Sequence, residues 1–176
     1  MLIPGLYPFF HRHLQQGFGE YGLDQPALVD YVSDLLTRFA RVNNLYALRD
    51  AEGRPIETMA GFILAHEGVA NDPSAARAPV RESLVLRHMA DYALFMSGLF
   101  RERLKHRGQI GYYREHGRNA FARCARLELN PNRARLLHRM GHDFEPISDA
   151  LDGVWHRRLP FAAPGASSPL AALWRA

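Results

Sequence analysis

The residues with the clearest capacity for chemistry fall in two neighbouring stretches, VRESLVLRHMADYALFMSGLFR at 80–101 and IGYYREHGRNAFARCARLE at 110–128. In the first, His88 and Asp91 are three residues apart, which on an α-helix places them one turn apart on adjoining surface. In the second, Tyr112, His116, Asn119 and Arg123 form a polar strip beside an apolar face. Antiparallel packing of the two helices would bring this strip to His88 and Asp91. The result would be a grouping of His88, Asp91 and His116, flanked by Tyr112 and Asn119. Such a group suits general acid–base work on a small substrate, or a divalent metal as its one cofactor. The spacing matches neither the Glu-x-x-His pairs of di-iron bundles nor His-Glu-x-x-His. The competing reading is a buried His88 bonded to Asp91 or to a backbone carbonyl. No other cofactor is implied: the sequence has no Gly-rich phosphate loop after a strand, and it also lacks the Gly-x-Ser-x-Gly of a nucleophilic serine.

Two further histidines, His138 and His142, have the i, i+4 spacing of a shared metal, but Gly141 is expected to end the helix between them. His11-Arg12-His13 reads as a solvated turn. The single cysteine, Cys124, falls on an apolar face and reads as a small buried hydrophobe. One cysteine excludes an internal disulfide framework and fits a reducing, cytoplasmic setting. The N-terminal MLIPGLYPFFHRHLQQ lacks the basic start and cleavage site of a signal peptide, and no apolar run is long enough for a membrane span.

Charge is distributed unevenly. The chain totals +4, yet residues 101–139 carry ten Arg and Lys105 against three Glu, a net of +8. Within that segment Arg114, Arg118, Arg126, Arg133, Arg135 and Arg139 are the candidates for an anion-facing surface. An acidic protein partner is the preferred occupant. Nucleic acid would be held only non-specifically, since the Asn130-Pro131 turn is not that of a helix-turn-helix and an all-helical chain offers no RNA-binding sheet.

The elements that must position these residues are helical. Residues 80–101 place apolar side chains over roughly two-thirds of a helix circumference, so this helix must be enclosed by others. Only the strip of Arg87, Asp91 and Arg101 is left to face water. Asp24 and Pro26 signal a helix start, with Leu28, Val32, Leu35, Leu36, Phe39, Val42 and Tyr46 on one face as far as about Leu45. Asn43 inside that face either fixes the helix end or lines a polar pocket. Residues 49–57 and 71–79 read as loops, with a helix of Met59, Phe62, Ile63 and Val69 between them. Gly98, Gly117 and Ala120 mark close helix approaches or a kink.

The segments MADYALFMSGLF (89–100) and GYYREHGRNAF (111–121) resemble a pattern found in an uncharacterised family of all-helical bacterial proteins. The resemblance implies an all-helical fold in a bacterial cytoplasmic protein and carries no catalytic residue. The expectation is therefore an all-α, single-domain bundle of about six helices over residues 1–159, with a flexible tail at 160–176. Functionally, a non-catalytic binding or regulatory protein presenting its Arg-rich face is preferred over a metal-binding protein or enzyme using the His/Asp pocket. A homo-oligomer is compatible with exposed Phe9 and Phe10.

Overall fold

A computed structural model describes residues 5–71 and 78–158, which form nine helices and no strand. The all-α class is as expected, although nine helices replace about six. The expected tail at 160–176 lies outside the described residues. Among those described, no helix is long and apolar enough to cross a membrane.

Helix α1, Leu6–Gly19, carries the His11-Arg12-His13 cluster as helix rather than turn, and His11 Nε2 meets Asp30 at 3.0 Å. Its Phe10 is a core residue rather than an exposed one. Helix α2, Pro26–Phe39, starts with proline at its first position after the extended Gln25, and no side chain caps it, Asp24 included. Its apolar face is buried as the spacing predicts. It stops at Phe39, short of Leu45, and the chain restarts as the single-turn α3, Val42–Leu45. Asn44, not Asn43, secures the break: its Nδ2 donates to the Arg38 carbonyl at 3.0 Å, satisfying an acceptor left open at the helix end. Asn43 is exposed.

A loop closed by an isolated bridge between Arg49 and Pro55 leads to α4, Met59–Ala70, whose first turn is capped by Thr58. Thr58 Oγ1 accepts from the Gly61 N–H at 3.1 Å. Then come α5, Ala78–Leu99, the short α6, Arg101–His106, and α7, Ile110–Leu127. Asn130 caps α8, Pro131–His142, and α9 runs Phe144–Arg158. Gly141 does not end α8 as expected. It lies inside the helix, where a Cβ would stand 3.0 Å from the Arg118 carbonyl of α7, so its smallness serves helix contact.

Helix α5 is the axis. It packs on α7, α9 and α4, while α1 closes the assembly against α2 and α9 and α8 backs α7. Every residue from Met89 to Phe95 is buried, so this part of the helix is covered all round. Two close approaches make that possible. Gly98 admits Leu151 of α9, and Gly117 of α7 admits Phe144 and Ala93, each at distances a Cβ could not tolerate. The amino-terminal part of α5 departs from the expected apolar arc at Leu84, which is exposed. Asp91 departs in the other direction, being fully buried where a wet strip is expected.

Candidate functional site

Among the described residues Asp91 is the most deeply buried charged side chain, and both its oxygens are occupied. Oδ1 accepts from the Tyr31 hydroxyl at 2.6 Å, and Oδ2 accepts from Arg38 at 2.9 Å with Arg87 Nε 3.8 Å away. The Arg87 guanidinium also lies 4.6 Å from the Tyr31 ring centroid, so the four side chains form one closed cluster. Burial first, and then the Asp91 charge, hold the Tyr31 phenol well above its ordinary range. A carboxylate satisfied in this way is a structural counter-ion, not a free ligand or base.

His88 turns elsewhere. Its Nε2 pairs with the Leu45 carbonyl at 2.9 Å, and its ring is flanked by Phe39 and Phe62, both at 5.4 Å between centroids. Burial lowers its pKa, so it is neutral at neutral pH and donates that hydrogen bond. His116 packs on Tyr112 of its own helix at 4.4 Å, and Asn119 is exposed. The expected meeting of His88, Asp91 and His116 therefore does not occur. The partners of Asp91 come from α2 and from its own helix rather than from the polar strip of α7. Among the described residues no three His, Cys, Asp or Glu side chains gather as metal ligands would.

The six arginines are also divided. Arg114 is held by Glu145 and Asp149, Arg133 by Glu128 at 3.4 Å and Arg139 by Asp143 at 3.1 Å. Arg135 bonds to Asn132 and to the Pro131 carbonyl. Of the set, Arg118 and Arg126 are the exposed members with no such partner among the described residues.

One residue beyond Asp91, a different environment opens. A cavity of about 550 Å³ is walled by Tyr92, Phe95, Met96 and Leu99 of α5. The segment before and into α4 contributes Tyr46, Glu57, Thr58, Met59 and Ala60. Arg103, Leu104 and Arg107 come from α6 and its end, and Gln109, Tyr112 and Tyr113 from the start of α7. The buried Phe10 of α1 and Trp155 of α9, with Leu36, Ala40, Leu45 and Phe100, complete the lining.

The chain matches no family model, no curated protein and no solved structure. The cavity has to be read from its own chemistry.

Three phenols define its polar side. The Tyr92 hydroxyl donates to the Glu57 carbonyl at 2.8 Å, and burial raises its pKa far above the ordinary value. Burial raises Tyr113 as well, with the neighbouring Tyr92 hydroxyl and Met59 backbone pulling in part the other way. Tyr46 is raised by burial and then by the Glu57 charge, with Arg103 pulling the other way. All three are therefore neutral hydrogen-bonding groups near neutral pH, not phenolate bases. The Arg103 charge at the exposed edge of the lining opposes each of these upward shifts weakly.

Of these residues only Tyr112 is named by the polar-strip reading. Tyr46, Tyr92 and Tyr113 look like core in a helical wheel, and Arg103 and Arg107 are merely part of a basic segment. Two signals point to them nonetheless. Three tyrosines on inward faces each bring a hydroxyl that needs a partner. Arg103 and Arg107 stand four apart, a like-charge pair that a helix does not favour for its own stability.

Proposed function

We propose that this chain is a small-molecule-binding protein whose ligand occupies the cavity between α5, α6, the start of α7 and residues 46–60. The supporting observation is the cavity itself: about 550 Å³, with aromatic and aliphatic walls and a few convergent polar groups. That size lies within the roughly 300–1,000 Å³ usual for ligand pockets, whose lining has the same composition. The lining favours binding over catalysis. It contains no His, Cys or Ser, the phenols of Tyr46, Tyr92 and Tyr113 are neutral, and the Thr58 hydroxyl is engaged in capping α4. The expectation of a non-catalytic binding protein is kept, with the binding surface moved from the Arg-rich face to the interior.

A neutral fluorescent probe such as phenylnaphthylamine tests this reading. It should bind saturably with one-to-one stoichiometry, and bulk introduced by Ala60→Phe or Met96→Trp should weaken it by about tenfold or more, the equivalent of roughly 1.4 kcal/mol. Binding unchanged in both filled variants, with their folding intact by circular dichroism, would overturn it. A second reading, an acidic protein partner on the outer face of α7, is supported by exposed Arg118 and Arg126. It requires capture that disappears at molar salt and in the Arg118→Glu/Arg126→Glu double variant.

A further inference from the structure

An arginine at a pocket mouth that meets no carboxylate of its own chain leaves its charge available to a ligand. Arg38, Arg54, Arg101, Arg114, Arg123, Arg139 and Arg158 all meet a carboxylate within the same chain. Arg103 and Arg107 meet none among the described residues, although both line the cavity and both are exposed. The only acid in the lining is Glu57, which forms no ion pair with either. The lining therefore carries two positive charges against one negative, a formal excess of one. Helix α7 begins at the same place. Gln109, at its N-cap, lines the cavity, and no side chain caps the helix, so the positive end of an 18-residue helix adds to the arginines.

We infer that the ligand is an apolar monocarboxylic acid: an alkyl or aryl body enclosed by the aromatic walls, with one carboxylate at the mouth between Arg103 and Arg107. This inference rests on the reading of the cavity as a ligand site and deepens it. A single negative charge balances the excess in the lining, whereas a phosphate dianion would leave a negative surplus beside Glu57. Guanidinium groups suit carboxylate geometry, and a bidentate bond to either arginine orients the acid with its body inward. The neutral phenols of Tyr46 and Tyr113 offer further donors at the polar side without opposing the negative charge, whereas the Tyr92 hydroxyl is engaged by the Glu57 carbonyl. Association is steered by the same two cations, so it falls with ionic strength more steeply than that of a neutral analogue.

The test compares decanoate, decanol and decyl phosphate by titration calorimetry on the full chain, in wild type and in the Arg103→Gln, Arg107→Gln and double variants. Decanoate should bind about tenfold more tightly than decanol, the worth of one charge-assisted hydrogen bond at a partly solvated site. The double variant should lose that preference while its decanol affinity stays within about twofold. Equal binding of decanoate and decanol to wild type would overturn the carboxylate assignment and leave the cavity reading intact. Preference for decyl phosphate over decanoate would overturn it in favour of a dianion. Failure of all three, together with failure of the neutral probe, would sink the cavity reading itself.

Discussion

Asp91 and Tyr92 are neighbours in sequence, turned about 100° apart on one helix, and they mark two ways of burying polarity. On the Asp91 side the carboxylate is answered by the protein: Tyr31 and Arg38 donate to its two oxygens and Arg87 adds its charge from 3.8 Å, with its own Nε making no hydrogen bond among the described residues. On the Tyr92 side polar groups face a cavity, and two arginines at its mouth have no acidic partner among the described residues. The first arrangement fixes α2 against α5, because removing one member of such a cluster leaves charge stranded. The second leaves polarity uncommitted, available to something that is not part of the chain. Saturation thus separates a structural polar cluster from a binding one, although both hold residues that a motif search would rank alike.

The strongest challenge to this contrast is Asp91→Ala. It should destabilise the fold by about 3 kcal/mol, the lower end of the range for an orphaned buried ion pair. The lower end applies because Arg38 keeps Asp34 at 2.7 Å and both arginines retain some access to water. Urea unfolding measures it. A loss under about 1 kcal/mol would mean that the cluster does not hold α2 in place.

Asp91 also shows where the sequence stops being legible. A helical wheel sorts residues by polarity and sends every carboxylate to water. It has no means of knowing that α2 crosses there bearing Arg38 and Tyr31. The apolar face of α2, the enclosure of α5 and the roles of Gly98 and Gly117 were readable, because periodicity and missing side chains report directly on packing. The short helices α3 and α6 were not, since four to six residues are too few to show a period. The cavity was the least readable feature of all. Tyr92, Phe95 and Leu99 have the same sequence signature whether the space beside them is filled or empty, and volume is a property of how helices meet.

One substitution applied on both sides sharpens the contrast. Tyr31→Phe removes a donor from a sealed carboxylate and should cost about 2 kcal/mol, within the roughly 1–3 kcal/mol penalty for a buried group left unsatisfied. Tyr92→Phe removes a donor from the Glu57 carbonyl at the edge of a cavity, where solvent or ligand can replace it, and should cost under about 1 kcal/mol. Thermal and chemical unfolding of the two variants should keep that order. Equal losses would mean that the cavity side is sealed as tightly as the other.

The smallest expected effect is the most diagnostic of function. Arg103→Gln should change stability by less than about 0.5 kcal/mol, as surface substitutions away from a cap or an ion pair do. The sign should be neutral to slightly stabilising, because the change removes repulsion from Arg107 four residues on and breaks no ion pair. A residue kept for the fold behaves in the opposite manner, costing stability when it is removed. If Arg103→Gln instead destabilised the protein by 2 kcal/mol or so, on the scale expected for Tyr31→Phe, the arginine would belong with the saturated side of α5. The charge at the cavity mouth would then be answering the protein rather than a ligand. A near-zero change in stability, with loss of the preference for decanoate over decanol, places Arg103 among the groups held ready for binding.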